Sequence, residues 1–400
     1  MDAPSGLPPF EPERLLAEPR YPVLARAAVR AVEGGSVGPL LAELGDATTG
    51  SQTLAAFAAS TQGLSALLAR ARDVHTLPPL LASFLAGQAE SAAARARVLR
   101  ERLVETVALL RAAGVEIVAL KGAVLAFRDY SEASLRPMGD LDLLLEDPSA
   151  MERASAALTG GGRWRPLYDT YRHRVFGAEG ERVARPATED PENPVRLELH
   201  TSFRLPVLGR WFDASAEVRS KTETLTLDGV AVTVPARPAT LRHLLVHAAE
   251  DFAGLGLRGI QAHDFRLLSC RHGPLAVPIT REDRSAGVAP LAYAASAVEG
   301  LFPRSFDPRF LGDLAATVPA PLRLRAAALP PLRYTRPRRG WSRTLLSLIE
   351  SPSRRGRFLA RTLFPSPGEV RANAAADGSS LWAAYGRLAA SRLGVLVRGE

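Results

Sequence analysis

Two aspartates two positions apart, Asp140 and Asp142, follow Gly139 and open an apolar run that continues through Leu143, Leu144 and Leu145. In a strand, side chains at i and i+2 point to the same face. The spacing therefore predicts two carboxylates projecting together while Leu141 and Leu143 enter a core. Two anions held side by side repel unless a cation sits between them. Divalent magnesium, which prefers hard oxygen ligands and phosphate, meets that need.

The preceding segment sharpens the reading. Residues Gly114 to Leu120 read as a buried strand entered from a long helix, with Gly114 as the helix stop. Lys121, Gly122 and Ala123 follow, then a short helical stretch from Val124 to Tyr130 and a loop from Ser131 to Gly139. Strand, glycine turn, helix, loop and a second strand carrying Asp-x-Asp is an arrangement that holds a nucleotide's phosphates. A glycine lets backbone N–H groups approach phosphate oxygens, and a helix N-terminus favours anions.

The stretch Leu120-Lys121-Gly122-Ala123-Val124-Leu125, then Tyr130, then Leu135-Arg136-Pro137-Met138-Gly139-Asp140-Leu141-Asp142-Leu143-Leu144 resembles the bacterial uncharacterised nucleotidyltransferase family. That family lies within the DNA polymerase beta-type nucleotidyltransferase superfamily. Its later Glu-Leu-His is matched by Glu198-Leu199-His200. The helical region around Leu244–Glu250, Leu257-Arg258 and Asp264 also resembles the family, as do Phe364-Pro365-Ser366-Pro367 and the final helix. The resemblance spans roughly residues 103 to 395 and is strongest at 117–145 and 195–203.

The resemblance implies that Asp140, Asp142 and Glu198 are catalytic carboxylates and magnesium ligands. It also implies that the Gly122 turn cradles a triphosphate, with Lys121, Arg136 and Gly139 beside the nucleotide. One departure matters. The wider superfamily carries Gly-Ser at the turn, whereas this chain has Gly122-Ala123, so a hydroxyl contact is lost while the backbone donors remain.

Lys121 also carries weight by itself, because the chain has two lysines, Lys121 and Lys221, among fifty basic residues. A compact ammonium suits a point contact to phosphate where a guanidinium fork is bulkier. Arg136 either clamps the same phosphates or pairs with Asp142. Alternation in Arg196-Leu197-Glu198-Leu199-His200 puts Arg196, Glu198 and His200 on one face, a pattern shared by a metal-bearing strand and the polar face of an edge strand. His200 is either a group supporting the ligands or a packing residue. His173 is a weaker candidate for substrate contact from a neighbouring strand.

Length and composition agree. Four hundred residues, 46% of them apolar, give ample core and exclude wholesale disorder. A single cysteine, Cys270, excludes a disulfide framework, a disulfide-linked partner and a cysteine-rich zinc site. The N-terminus lacks a signal-peptide pattern and no long uncharged apolar run occurs, so the expectation is a cytoplasmic protein without membrane insertion. The expected class is α+β: a mixed-sheet nucleotidyltransferase core over 101–235, flanked by helical domains over 1–100 and 236–400. A long helix near 90–113 feeds the first strand, Gly160-Gly161-Gly162 forms a turn, and 177–194 is a polar loop. Asp228-Gly229 turns a β-hairpin.

Charge is uneven. The net value is +8, and between Arg323 and Arg361 stand eleven arginines against one acid, Glu350. Such a stretch is either a nucleic-acid track with stacking aromatics or an arginine-biased solvated surface, and we favour the surface. His243 and His247 share a helix face, a spacing able to hold metal. The sequence His-Leu-Leu-Val-His lacks the glutamate of a zinc protease, and helix packing is the expectation. The functional expectation is magnesium-dependent transfer of a nucleotidyl group from a nucleoside triphosphate to an acceptor (small molecule, sugar, peptide, protein or RNA), releasing pyrophosphate. The alternative is a non-catalytic nucleotide- or RNA-binding protein on the same fold.

Overall fold

The computed structural model describes residues 7–8, 11–170, 172–178, 193–254, 256–332, 345–363, 370 and 380–398. Most of the 177–194 loop, the middle of the arginine-rich stretch and the Phe364–Pro367 motif lie outside the described residues. The fold is mixed α+β, a five-stranded sheet with helical flanks.

The sheet runs in the order β1 (Ile117–Ala119), β2 (Asp140–Leu145), β5 (Arg196–His200), β4 (His173–Ala178), β3 (Trp164–Asp169). β2 and β5 are parallel and every other pairing is antiparallel. β5 is thus the central strand, which removes the edge-strand reading of its polar face. Two ribbons follow in sequence: β6 (Arg204–Val207) with β7 (Arg210–Asp213), and β8 (Thr222–Leu227) with β9 (Val230–Pro235). The second turns through Asp228 and Gly229, both left-handed at φ 50° and 80°, as a type I′ hairpin requires.

The long helix Pro79–Ala112 delivers the chain to β1. It stops where Gly114 turns left-handed at φ 68° and the Val115 N–H reaches back to the Leu110 carbonyl at 2.9 Å, the Schellman closure. Its first half contributes Leu81, Phe84 and Leu85 to one hydrophobic core. Its second half contributes Leu99, Leu103, Val107 and Leu110 to another, which covers Leu141, Leu143, Leu197 and Leu199 of the sheet. The expected division at residue 100 is therefore crossed by one continuous helix. The first core also joins the N-terminal helices Tyr21–Gly34 and Thr49–Thr61 to Arg237–Gly254, Gly259–His272 and Ala289–Leu301.

Parallel strands cannot be closed by a tight turn, and two arginines tie the β2–β5 pair at its ends. Arg95, 2% exposed, donates to the carbonyls of Gly139 and Pro194, each at 3.0 Å, and to that of Asn193, just before the two strands begin. Arg219 donates to the Leu145 carbonyl at 2.9 Å and the Thr201 carbonyl at 2.6 Å, where they end.

Candidate active site

Strand alternation decides which side chains meet. Along β2, Leu141 and Leu143 turn into the apolar core beneath the sheet while Asp140 and Asp142 turn the other way. The parallel register sets Asp142 beside Glu198, and the antiparallel register of β4 sets His173 beside His200. Asp142, Glu198, His200 and His173 consequently share one face of three adjacent strands. Asp140, at the start of β2, sits at the exposed rim of that face.

The contacts confirm a single cluster. The Lys121 Nζ lies 2.6 Å from Asp142 Oδ1, and His200 Nε2 lies 2.9 Å from the same oxygen. His200 Nε2 is also 3.4 Å from Glu198 Oε2, which lies 3.8 Å from His173 Nε2. One imidazole nitrogen thus lies within 3.4 Å of an oxygen of the buried Asp142 and of the half-buried Glu198. The Lys121 ammonium lies 5.6 Å from the centre of the Phe203 ring, a cation–π contact, and Phe203 packs edge-on against the buried His243 at 3.8 Å.

Electrostatics separate the carboxylates. Burial drives Asp142 towards the neutral form, but the Lys121 ammonium and the His200 contact override it and hold the carboxyl well below its usual range. At the rim, desolvation by the surrounding protein and the anion on Asp142 push the Asp140 carboxyl up to about 6, against the opposing pull of Lys121. Burial opposes ionisation of Glu198 as well, and the His200 contact reverses it, leaving the carboxyl below its ordinary value. Burial pulls the His173 imidazole down to about 4 despite Glu198.

The turn before the site differs from its expected form. The left-handed residue is Lys121, at φ 48°, rather than Gly122. Leu120 is still bonded to β2 through the Asp142 carbonyl at 2.9 Å. The kink at 121 then lifts the lysine over the polar face, a strained conformation for a side-chain-bearing residue. Gly122 is needed for space: a Cβ there would sit 2.6 Å from Arg136 Nη1 and 3.0 Å from Met138 Cγ. Ala123 is buried in the apolar core. A Cβ on Gly139 would meet nothing within 4 Å; its role here is its carbonyl, held by Arg95.

Arg136 does not pair with Asp142. Its partner is Asp264 on the helix Gly259–His272, with Nη2 at 2.9 Å and Nε at 3.1 Å from the carboxylate, and the Tyr130 hydroxyl donates to the same group at 2.8 Å. Its Nη1 faces Gly122. Of the helical histidines, His247 is bonded to Asp251 at 2.9 Å, and both ring nitrogens of His243 are without a hydrogen-bond partner among the described residues.

Arg95 escaped the sequence reading, and Asp264, read there only as part of the family-like helical region, was not expected as the partner of Arg136. Each acts across a long sequence separation, Arg95 on backbone carbonyls that any residue type supplies. No helix among the described residues is long and apolar enough to cross a membrane.

The family model for the uncharacterised nucleotidyltransferases matches residues 51–277. The match starts and ends earlier than the 103–395 span of the resemblance read from sequence, and it takes in part of the N-terminal helices. A crystal structure of an antigenic nucleotidyltransferase-like protein from Paracoccidioides brasiliensis is similar over 56% of this chain and 91% of that chain, at 15% identity and a TM-score of 0.33. No curated protein matches the chain. With more than half of its length matched, and the Asp-x-Asp and Glu-Leu-His strands inside the matched region, the chain belongs to the uncharacterised nucleotidyltransferase family.

Proposed function

We propose that this protein transfers a nucleotidyl group from a nucleoside triphosphate to an acceptor hydroxyl with magnesium bound, releasing pyrophosphate, as an enzyme of the DNA polymerase beta-type superfamily. Family membership supports nucleotidyl transfer in general. The observation that carries the finer reading is the register pair Asp142 and Glu198, on one buried face with Asp140 at its rim and a lysine ammonium already on Asp142.

That ammonium is also the test of fit for magnesium. The face already holds one cation 2.6 Å from a carboxylate oxygen, and its donors toward the rim are the hard oxygens magnesium prefers. Asp140, Asp142 and Glu198 would hold the ion, which when bound neutralises triphosphate charge and acidifies the acceptor hydroxyl.

The chain's own residues do the remainder. Lys121 leaves Asp142 for a phosphate oxygen, a point contact suited to its compact head. The space beside Gly122 is taken by Arg136 Nη1 and Met138, so the group that phosphate meets at this turn is a guanidinium fixed by Asp264. Glu198, ionised under the influence of His200, takes the proton that the acceptor hydroxyl loses as its oxygen bonds to phosphorus and pyrophosphate departs.

The test is incubation of the purified chain with magnesium and each α-labelled nucleoside triphosphate, with cell extract as acceptor source. Label should pass to an acceptor and pyrophosphate should appear, and Asp140→Asn with Asp142→Asn should stop both. The second reading is a non-catalytic nucleotide-binding protein, favoured by the buried alanine at 123. Retained nucleotide binding with no label transferred to any acceptor would select it.

A further inference from the structure

The polar face holds more nitrogen than a magnesium site uses. His173, Glu198 and His200 each offer one ligand atom, and the three atoms lie within 4.8 Å of one another. His200 is completely buried and the His173 side chain is 9% exposed. The two Nε2 atoms approach the same Glu198 oxygen at 3.4 and 3.8 Å. The Nδ1 atoms of both rings have no hydrogen-bond partner among the described residues, so no protein contact fixes either ring's tautomer from behind.

We infer that His173, Glu198 and His200 form a second metal site, selective for a first-row transition ion of the zinc class. Bonds of about 2.0–2.1 Å at tetrahedral angles place neighbouring donors about 3.3 Å apart. The separations from Glu198 lie at or a few tenths of an ångström beyond that spacing, and the three donor atoms together span up to 4.8 Å, so binding requires the two rings to draw together. Two imidazoles with one carboxylate suit zinc, cobalt or iron, whereas magnesium takes oxygen in octahedral array. Three protein ligands leave a coordination position open, as catalytic zinc sites do. Asp142 belongs to the oxygen-donor site proposed above and not to this set, its Oδ1 contacting Lys121 and His200. An ion on Nε2 of His200 would take the place of that nitrogen's contact with Asp142. The site shares Glu198 with the proposed magnesium site and does not depend on nucleotidyl transfer.

The test uses the full chain, stripped of metal with chelator and titrated with cobalt(II) in the absence of nucleotide. The expected result is one equivalent bound with the intense visible absorption of a four-coordinate ion and no sulfur charge-transfer band, which sets Cys270 aside. Zinc should displace the cobalt stoichiometrically, and a hundredfold excess of magnesium should not. His173→Asn should weaken binding at least tenfold. Asp140→Asn should leave cobalt binding unchanged while abolishing any magnesium-dependent nucleotide binding, so the two proposals fail separately. Copper(II) bound to the wild-type chain should show coupling to two imidazole nitrogens in its paramagnetic resonance spectrum, a readout that needs no variant. Cobalt affinity no better than that of magnesium, or a site that survives His173→Asn intact, overturns the inference.

Discussion

On one face of β2 and β5, Leu141, Leu143, Leu197 and Leu199 are all fully buried beneath the long helix. On the other face of the same residues' strands, Asp142, Glu198 and His200 converge under a lysine, with Asp140 at the rim. Backbone geometry and hydrogen bonding are common to the two faces, so the difference lies in side chains set by a period of two. The leucine face stabilises by removing apolar surface from water. The carboxylate face pays for burying like charges with a built-in ammonium. It shows how a fold stores a cation requirement: the apolar face holds the strands rigid while the polar face keeps its anions too close for comfort without a partner.

The largest expected effect comes from moving a carboxylate across the sheet. Leu199→Asp buries an anion with no cation near it, and a loss beyond about 4–5 kcal/mol is expected, enough to prevent folding. Asp140→Leu, at the exposed rim, should leave the chain folded. Denaturant unfolding of the two variants measures the contrast; equal stabilities would mean that the faces are not chemically distinct.

Lys121→Met tests the ammonium. Removing one partner of a buried ion pair costs about 3–5 kcal/mol, so a substantial destabilisation is expected. A phosphate-contact role alone would have left the fold nearly intact; the 2.6 Å pair with Asp142 changes that expectation. Magnesium should raise the melting temperature of this variant more than that of the wild type, because it restores the missing positive charge. A magnesium response equal to that of the wild type would show that ion and lysine do not compete for the same carboxylates.

A smaller effect should appear with pH. The Asp140 carboxyl titrates at about 6 in the folded chain and near 3.9 when unfolded. Between those values the folded state binds more protons, so the Asp140 contribution to stability declines as pH rises from about 4 to about 6 and is flat above. His173 and His263, both pushed down to about 4 by burial, act in the opposite sense over the same window. The quantity to read is therefore the difference between wild type and Asp140→Asn. The variant should gain relative stability as pH rises through that window. A constant difference from pH 4 to 8 would show that Asp140 is not crowded by Asp142.

Much of this contrast was legible in the sequence because it is local. The Asp-x-Asp and Glu-x-His spacings fix faces once a strand is assumed, and Asp228-Gly229 requires its hairpin. Glu198 reached the site through family resemblance, since fifty-eight positions separate it from Asp140 and alternation alone left it ambiguous. What stayed hidden depends on three-dimensional closure. Arg95 and Arg219 bind backbone carbonyls, which carry no residue signature. Arg136 finds Asp264 across 128 positions. The left-handed turn at Lys121 defies the usual glycine preference, because the cluster of carboxylates it serves outweighs the local strain.

The most direct measurement of the central claim is the binding of a nucleoside triphosphate with and without magnesium, by calorimetry, to the wild type and to Glu198→Gln. Glu198 discriminates because Asp-x-Asp alone occurs on many surfaces, whereas its register with Asp142 defines this face. The wild type should bind the triphosphate more tightly with magnesium, and Glu198→Gln should lose most of that gain while its magnesium-free binding stays unchanged. Magnesium enhancement undiminished in Glu198→Gln would contradict the account.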